Sequence, residues 1–169
     1  MDLIVETPHL ALWNKRQLRC AVGRGGIVSA AQKHEGDGAT PAGCWAMREV
    51  LYRTDRIAMP SLRLKHRAMN PQDGWCEIPD DPQYNKLVRH PYAVPVDHLW
   101  REDHLYDIVV VLGYNDDPVV PGKGSAIFMH LARPDFSPSA GCVTLAREDL
   151  LDVLREADAQ SCVVVKSRP

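Results

Sequence analysis

Cys142 stands in the setting of this chain that most invites chemistry, and it is one of five cysteines (Cys20, Cys44, Cys76, Cys142 and Cys162). A thiol attacks as its thiolate, so it needs a base within reach and open space beside the sulfur. The stretch from His130 to Leu145 reads HLARPDFSPSAGCVTL and offers both. His130 is the base, and Gly141 removes side-chain bulk next to the sulfur so that a carbonyl can approach. The imidazole would take the thiol proton and return it to a departing amine, which is acyl transfer. The backbone N–H groups of Gly141 and Cys142 would donate to the developing oxyanion. Spacing alone leaves a purely structural Cys and His equally open.

This chemistry requires a strand that ends at His130 and a loop that returns the chain to Ser139-Ala140-Gly141-Cys142. Ser125–His130 reads as such a strand, and Asp107–Leu112 as a central strand beside it. After the thiol, Leu145, Ala146, Leu150, Val153, Leu154 and Ala157 recur at helical spacing, with Arg147, Glu148, Asp152, Arg155 and Glu156 on the other side. Thr144 is placed to N-cap that helix. The thiol would then lie directly before a helix N-terminus, whose unpaired N–H groups and positive dipole end favour the thiolate and lower its pKa.

Elsewhere the pattern is that of β-structure. His9–Trp13 and Leu18–Val22 flank residues 14–17 as a half-buried hairpin, which Gly23–Gly26 then breaks. The turn-rich run 35–43 precedes a strand over Cys44–Tyr52, and Ser161–Lys166 reads as a closing strand. Cys20 and Cys162 fall in apolar runs and read as small buried hydrophobes. Residues 53–104 hold six prolines, which disfavour long helices, so an elaborated loop system is expected there with one short helix near Val96–Asp103. The fold class that follows is mainly β with a few short helices, one of them after the cysteine, in a single domain over residues 1–169.

Composition narrows the function classes. The 169 residues are 45% hydrophobic and 25% charged, with a formal net charge of −2. Neither basic excess nor basic runs point to a nucleic-acid partner or a polybasic membrane surface, and the Arg63, Lys65, His66, Arg67 cluster reads as a solvated face. No stretch has the roughly 20 consecutive apolar residues of a membrane span. Asp2, Glu6, Pro8 and His9 interrupt what would be the apolar region of a secretory leader, which leaves open an intracellular chain, a removed leader or another export route. The histidines and cysteines fall at no metal-site spacing, and Gly23-Arg24-Gly25-Gly26 lacks the Lys-Ser/Thr of a phosphate-binding loop, so neither metal nor cofactor is expected.

Three ordered motifs carry a resemblance. Ser139-x-Gly141-Cys142-Val143 after a strand-end His130, the turn Gly36–Gly43 with its Thr40-Pro41-x-Gly43 core, and the strand Gly124–His130 together resemble the L,D-transpeptidase catalytic domain, the YkuD-like family. The resemblance spans residue 3 to about 165. It implies a β-sandwich or barrel and a thiol enzyme acting on peptidoglycan stem peptides, as donor and as acceptor. The cysteine attacks the carbonyl of an L-residue followed by a D-residue, releases the D-amino acid, and passes the acyl group to an amine. On this resemblance Cys142 is the nucleophile and His130 the base. Gly141 and Cys142 supply oxyanion amides, the Leu131 carbonyl orients His130, and Ser139 is a residue of the active-site loop. It also implies a periplasmic or cell-wall-facing location and carbapenem-type β-lactams as covalent inhibitors. Two positions depart from the common S-H-G-C-x-R form: Ala140 stands for the His and Thr144 for the Arg, which touches substrate anchoring and acceptor choice.

Other residues admit two readings each. Tyr114, at a strand end, either binds the stem peptide or caps a core. Trp75, Cys76, Tyr84, Asn85 and Trp100 form either a lid over the site or the packing of a long insertion. Arg101 or Lys123 would suit a substrate carboxylate. Besides transfer, the same scaffold admits a hydrolase in which water takes the acyl group, and a non-catalytic peptidoglycan-binding module.

Overall fold

The computed structural model describes residues 1–167. The chain begins with β1 (Leu3–Thr7), β2 (Leu10–Trp13) and β3 (Arg16–Ala21). Asn14 and Lys15 join β2 to β3 at φ +47° and +66°, the left-handed pair that a two-residue hairpin needs for its twist to match the strands. The hairpin expected here forms, with β1 added against it. Next come β4 (Ile27–Ser29), the long β5 (Thr40–Tyr52), β6 (His66–Ala68), β7 (Asp73–Trp75), β8 (Leu87–Arg89) and β9 (Asp97–His98). Then follow β10 (Ile108–Leu112), β11 (Phe128–Leu131), β12 (Val143–Leu145), the helix α1 (Arg147–Glu156) and β13 (Cys162–Val165).

The main sheet runs β10–β11–β12–β3–β2–β1–β13–β5, and β5 pairs with β10 to close it into a barrel. Strand β5 manages both neighbours by length: its residues 43–46 face β13, and its later residues, from Met47 to Tyr52, face β10. The barrel interior holds Leu3, Val5, Leu18, Ile108, Val110, Met129, Val143 and Leu145. Helix α1 buries Leu150, Leu151, Val153 and Leu154 into the same core.

A second apolar layer lies on the outside of β10, β11 and the Cys142 turn. Val109 and Phe128 alternate with interior neighbours and so point outward, where they meet Leu51, Met69, Trp75, Leu99 and Cys142. Residues 53–104 supply much of this cover, including the small sheet β8–β7–β9. This explains why β10 is apolar on both faces: one face fills the barrel and the other lies beneath the insertion.

Several sequence expectations change. No helix forms near Val96–Asp103; the two-residue strand β9 and turns stand there, and α1 is the one helix among the described residues. Thr144 is not an N-cap, because it pairs with Ala21 inside β12 and the helix begins after Ala146. The apolar run 143–145 is β-branched enough, and close enough to β11 and β3, for sheet pairing to win over an earlier helix start. Cys20 is buried as expected, whereas Cys162 is only half-buried at the edge of β13.

Candidate active site

The register of three strands builds the site. His130 follows Phe128 by two residues in β11, so both side chains leave the same, outer face of the barrel. Strand β12 runs parallel to β11 with Met129 opposite Val143 and His130 opposite Thr144. Cys142, one residue before β12, therefore also points outward and joins Phe128 in the second apolar layer. The sequence-expected nucleophile and base thus share one face on adjacent strands.

The thiol is closely held. Cys142 Sγ lies 3.4 Å from the Phe128 N–H, which donates to it, and donates in turn to the Ala126 carbonyl at 3.2 Å. His130 Nδ1 donates to the Leu131 carbonyl at 3.0 Å, which leaves Nε2 as the basic nitrogen. The Tyr106 ring packs edge-on against the imidazole, with centroids 4.9 Å apart. Cys142 and His130 are each 5% exposed. Burial pushes the Cys142 thiol up to about 12 and holds His130 down at about 4, with the hydrogen bond to Leu131 opposing the latter. The resting pair is a neutral thiol and a neutral imidazole.

This reverses the expectation of a thiol pKa lowered by a helix dipole. Strand β12 and Ala146 separate Cys142 from the first residue of α1, and the dipole effect fades within a turn. Desolvation is the larger effect, and the carboxylates of Glu77 and Asp97 add to it by disfavouring a second negative charge.

The loop before the thiol is braced from two sides. Ser139 Oγ donates to the Cys142 carbonyl at 2.6 Å and accepts from the Gly141 N–H at 3.1 Å. Its hydroxyl is therefore engaged by the loop itself, and the Gly141 amide is occupied in this arrangement. Thr40 Oγ1 donates to the Gly141 carbonyl at 2.8 Å and accepts from the Gly23 N–H at 2.9 Å. Gly141 has φ +139°, and a Cβ there would stand 3.0 Å from the Ala39 carbonyl oxygen. A Cβ on Gly23 would lie 2.1 Å from the Gly38 carbonyl oxygen. The two glycine-bearing turns near residues 23 and 38 are thus packed directly behind the thiol loop.

Two cavities flank the pair. One, of about 130 Å³, lies beside His130 and is lined by Arg101, Tyr106, Arg133, Ser139 and Thr144 among others. The second, of about 290 Å³, opens on Cys142 and is lined by Lys33, Glu35, Glu77, Asp97 and Arg101 among others. Ala140, beside the nucleophile, lines both. In the second cavity burial, with the neighbouring Asp97 and Glu35, lifts the Glu77 carboxyl to about 7.

Of the expected substrate contacts, Ser139, Ala140 and Thr144 do reach a cavity, and Thr144 Oγ1 is also 3.5 Å from the Ala21 carbonyl. Tyr114 does not. Its ring packs edge-on against Trp45 in the barrel core and its hydroxyl donates to the Lys123 carbonyl at 2.5 Å. Strand alternation carries it inward, so it is a core cap. Arg101 faces both cavities, whereas Lys123 lines neither.

The sequence names Thr40 only within a turn motif and Gly23 only as a strand break; it gives no sign of their bracing roles, of Tyr106, or of the role of Asn85. Buried Asn85 accepts from the Ala126 N–H at 3.0 Å and from Trp75 Nε1 at 3.1 Å, and donates to the carbonyls of Tyr114 and Asn115. It fixes Ala126, at φ +53°, whose carbonyl accepts the hydrogen bond from the thiol. The only signal for it was an Asn in a turn-rich stretch, which is too common to single out. Among the described residues no group of three or more His, Cys, Asp or Glu side chains is placed to hold a metal ion, and no helix is long and apolar enough to cross a membrane.

Across residues 4–165, nearly the whole chain, the sequence matches the family model of the L,D-transpeptidase catalytic domain, YkuD. No curated protein and no solved structure matches it.

Proposed function

The chain belongs to the L,D-transpeptidase catalytic-domain family, and from that premise we propose that it is a cysteine-dependent acyltransferase acting on peptidoglycan stem peptides, with residues 1–169 as one catalytic domain. The observation that carries this reading is the placement of Cys142 and His130 on one face of adjacent parallel strands, between two cavities.

In this reading the donor carbonyl, on an L-residue followed by a D-residue, enters beside Sγ. His130 Nε2 takes the thiol proton as the S–C bond forms, since the buried pair does not ionise beforehand. The Leu131 carbonyl holds the ring in the required tautomer. The Cys142 N–H faces the developing oxyanion, joined by the Gly141 N–H when Ser139 releases it. Collapse breaks the C–N bond, His130 protonates the departing amine, and a thioester remains for an amine acceptor. The site lies at the cell wall, outside the cytoplasmic membrane, where such substrates are.

Two measurements test this. Exposure to a carbapenem should add one drug mass at Cys142, read by intact-protein mass spectrometry; an unmodified thiol would sink the reactive-nucleophile assignment. Incubation with purified muropeptides should yield dimers or exchanged stems with loss of a D-amino acid, and Cys142→Ala should abolish them. Shortened monomers alone would instead establish a hydrolase.

A further inference from the structure

We propose that the cavity beside His130 is an α-carboxylate site, in which Arg133 and Arg101 bind the carboxylate of the residue whose amine leaves, or attacks, the acyl-enzyme. This rests on the acyl-transfer reading above.

Charge is sorted between the two sides of the thiol. The His130 side is lined by two guanidinium groups and, among the described residues, by no carboxylate. The opposite cavity mixes Glu35, Glu77 and Asp97 with Arg24, Lys33 and Arg101. Arg101 is fixed in place: Nε and Nη2 grip Asp103 at 3.0 and 2.5 Å, and its guanidinium lies 5.0 Å from the Tyr106 ring centroid. Arg133 is exposed and makes no ion pair or side-chain hydrogen bond among the described residues, and it acts through space on the carboxylates of Asp103 and Asp135. A held cation beside a free one, at the mouth of a small cavity, suits a carboxylate that can take a forked pair of N–H donors.

The reaction identifies which carboxylate. His130 delivers its proton to the departing nitrogen, so the departing residue must lie on the His130 side. As the C–N bond breaks, the nitrogen takes the proton from Nε2 and the carbonyl carbon stays bonded to Sγ. A D-residue released from the end of a stem carries its free α-carboxylate one carbon away from that nitrogen. The same path in reverse brings the acceptor in: its amine bonds to the carbonyl carbon, gives a proton to Nε2, and the S–C bond breaks.

The test compares a stem tetrapeptide donor with a free terminal carboxylate and the same peptide as its C-terminal amide. Wild type, Arg133→Gln and Arg133→Lys are each assayed; Arg133 is exposed, so the variants should fold. Wild type should favour the free acid by about tenfold or more, the range of a charge-assisted pair. The preference should collapse in Arg133→Gln, chiefly through KM, and return in part in Arg133→Lys. Turnover without acid–amide discrimination in wild type, or a preference unchanged in Arg133→Gln, overturns the carboxylate site alone. No turnover of either donor by wild type overturns the acyl-transfer reading and this inference with it.

Discussion

His130 is held with its proton on Nδ1 by a backbone carbonyl, so no side chain is needed to orient it. That leaves burial to set its basicity, and burial lowers it to about 4. Two consequences follow with one sign. The basic form persists down to about pH 4, so the acid limb of kcat/KM should fall near 4, well below the ordinary imidazole value. The folded state binds this proton less readily than the unfolded chain, so the contribution of neutral His130 to stability is present above about 6.5. It is lost as pH falls from there toward 4. A pH–rate profile and thermal denaturation across pH 4–7 check both; an acid limb at 6.5 would mean that His130 is solvated during turnover.

The thiol loop works only because neighbouring elements hold it. Thr40, the first residue of β5, ties the Gly23 amide to the Gly141 carbonyl through one hydroxyl. The Thr-Pro-x-Gly run, expected from its proline and glycine to be a turn, instead opens β5, and its Thr40 acts as a clamp behind Cys142. Thr40→Val keeps the shape and leaves two buried backbone groups without that partner, at about 1–3 kcal/mol each. We expect a lower melting temperature and a fall in kcat of about tenfold or more, with the carbapenem adduct at Cys142 forming more slowly. An unchanged acylation rate would show that the clamp serves stability alone.

At the scale of the molecule, the barrel carries its chemistry on the outside and a second layer covers it. Trp75 meets Phe128 edge-on at 4.9 Å and ties to Asn85, which in turn holds Ala126 beside the thiol. Trp75 and Trp100, which the sequence leaves as either lid or packing, thus pack into the layer that covers the thiol. Trp75→Ala should cost about 3–5 kcal/mol. Loosening the roof should also speed alkylation of Cys142 by iodoacetamide in the native protein. Stability lost with labelling unchanged would mean that other residues seal the thiol.

The sequence by itself determined what is local: the two-residue hairpin, the apolar strands that flank the site, the amphipathic helix, and the Ser-x-Gly-Cys loop after a strand-end histidine. Period-2 and period-3.6 patterns and turn residues act over a few positions, so they survive without coordinates. Tertiary structure decided what depends on distant neighbours. It moved Thr144 from a helix cap into β12, sent Tyr114 inward, and turned an expected acidic thiol into one pushed up to about 12. Desolvation and the field of Glu77 and Asp97 set that value. The two carboxylates lie more than 40 positions away, and the burial joins nearby Ala126 and Phe128 to distant Leu51, Trp75 and Leu99, which only the closed barrel and its covering layer bring to Cys142.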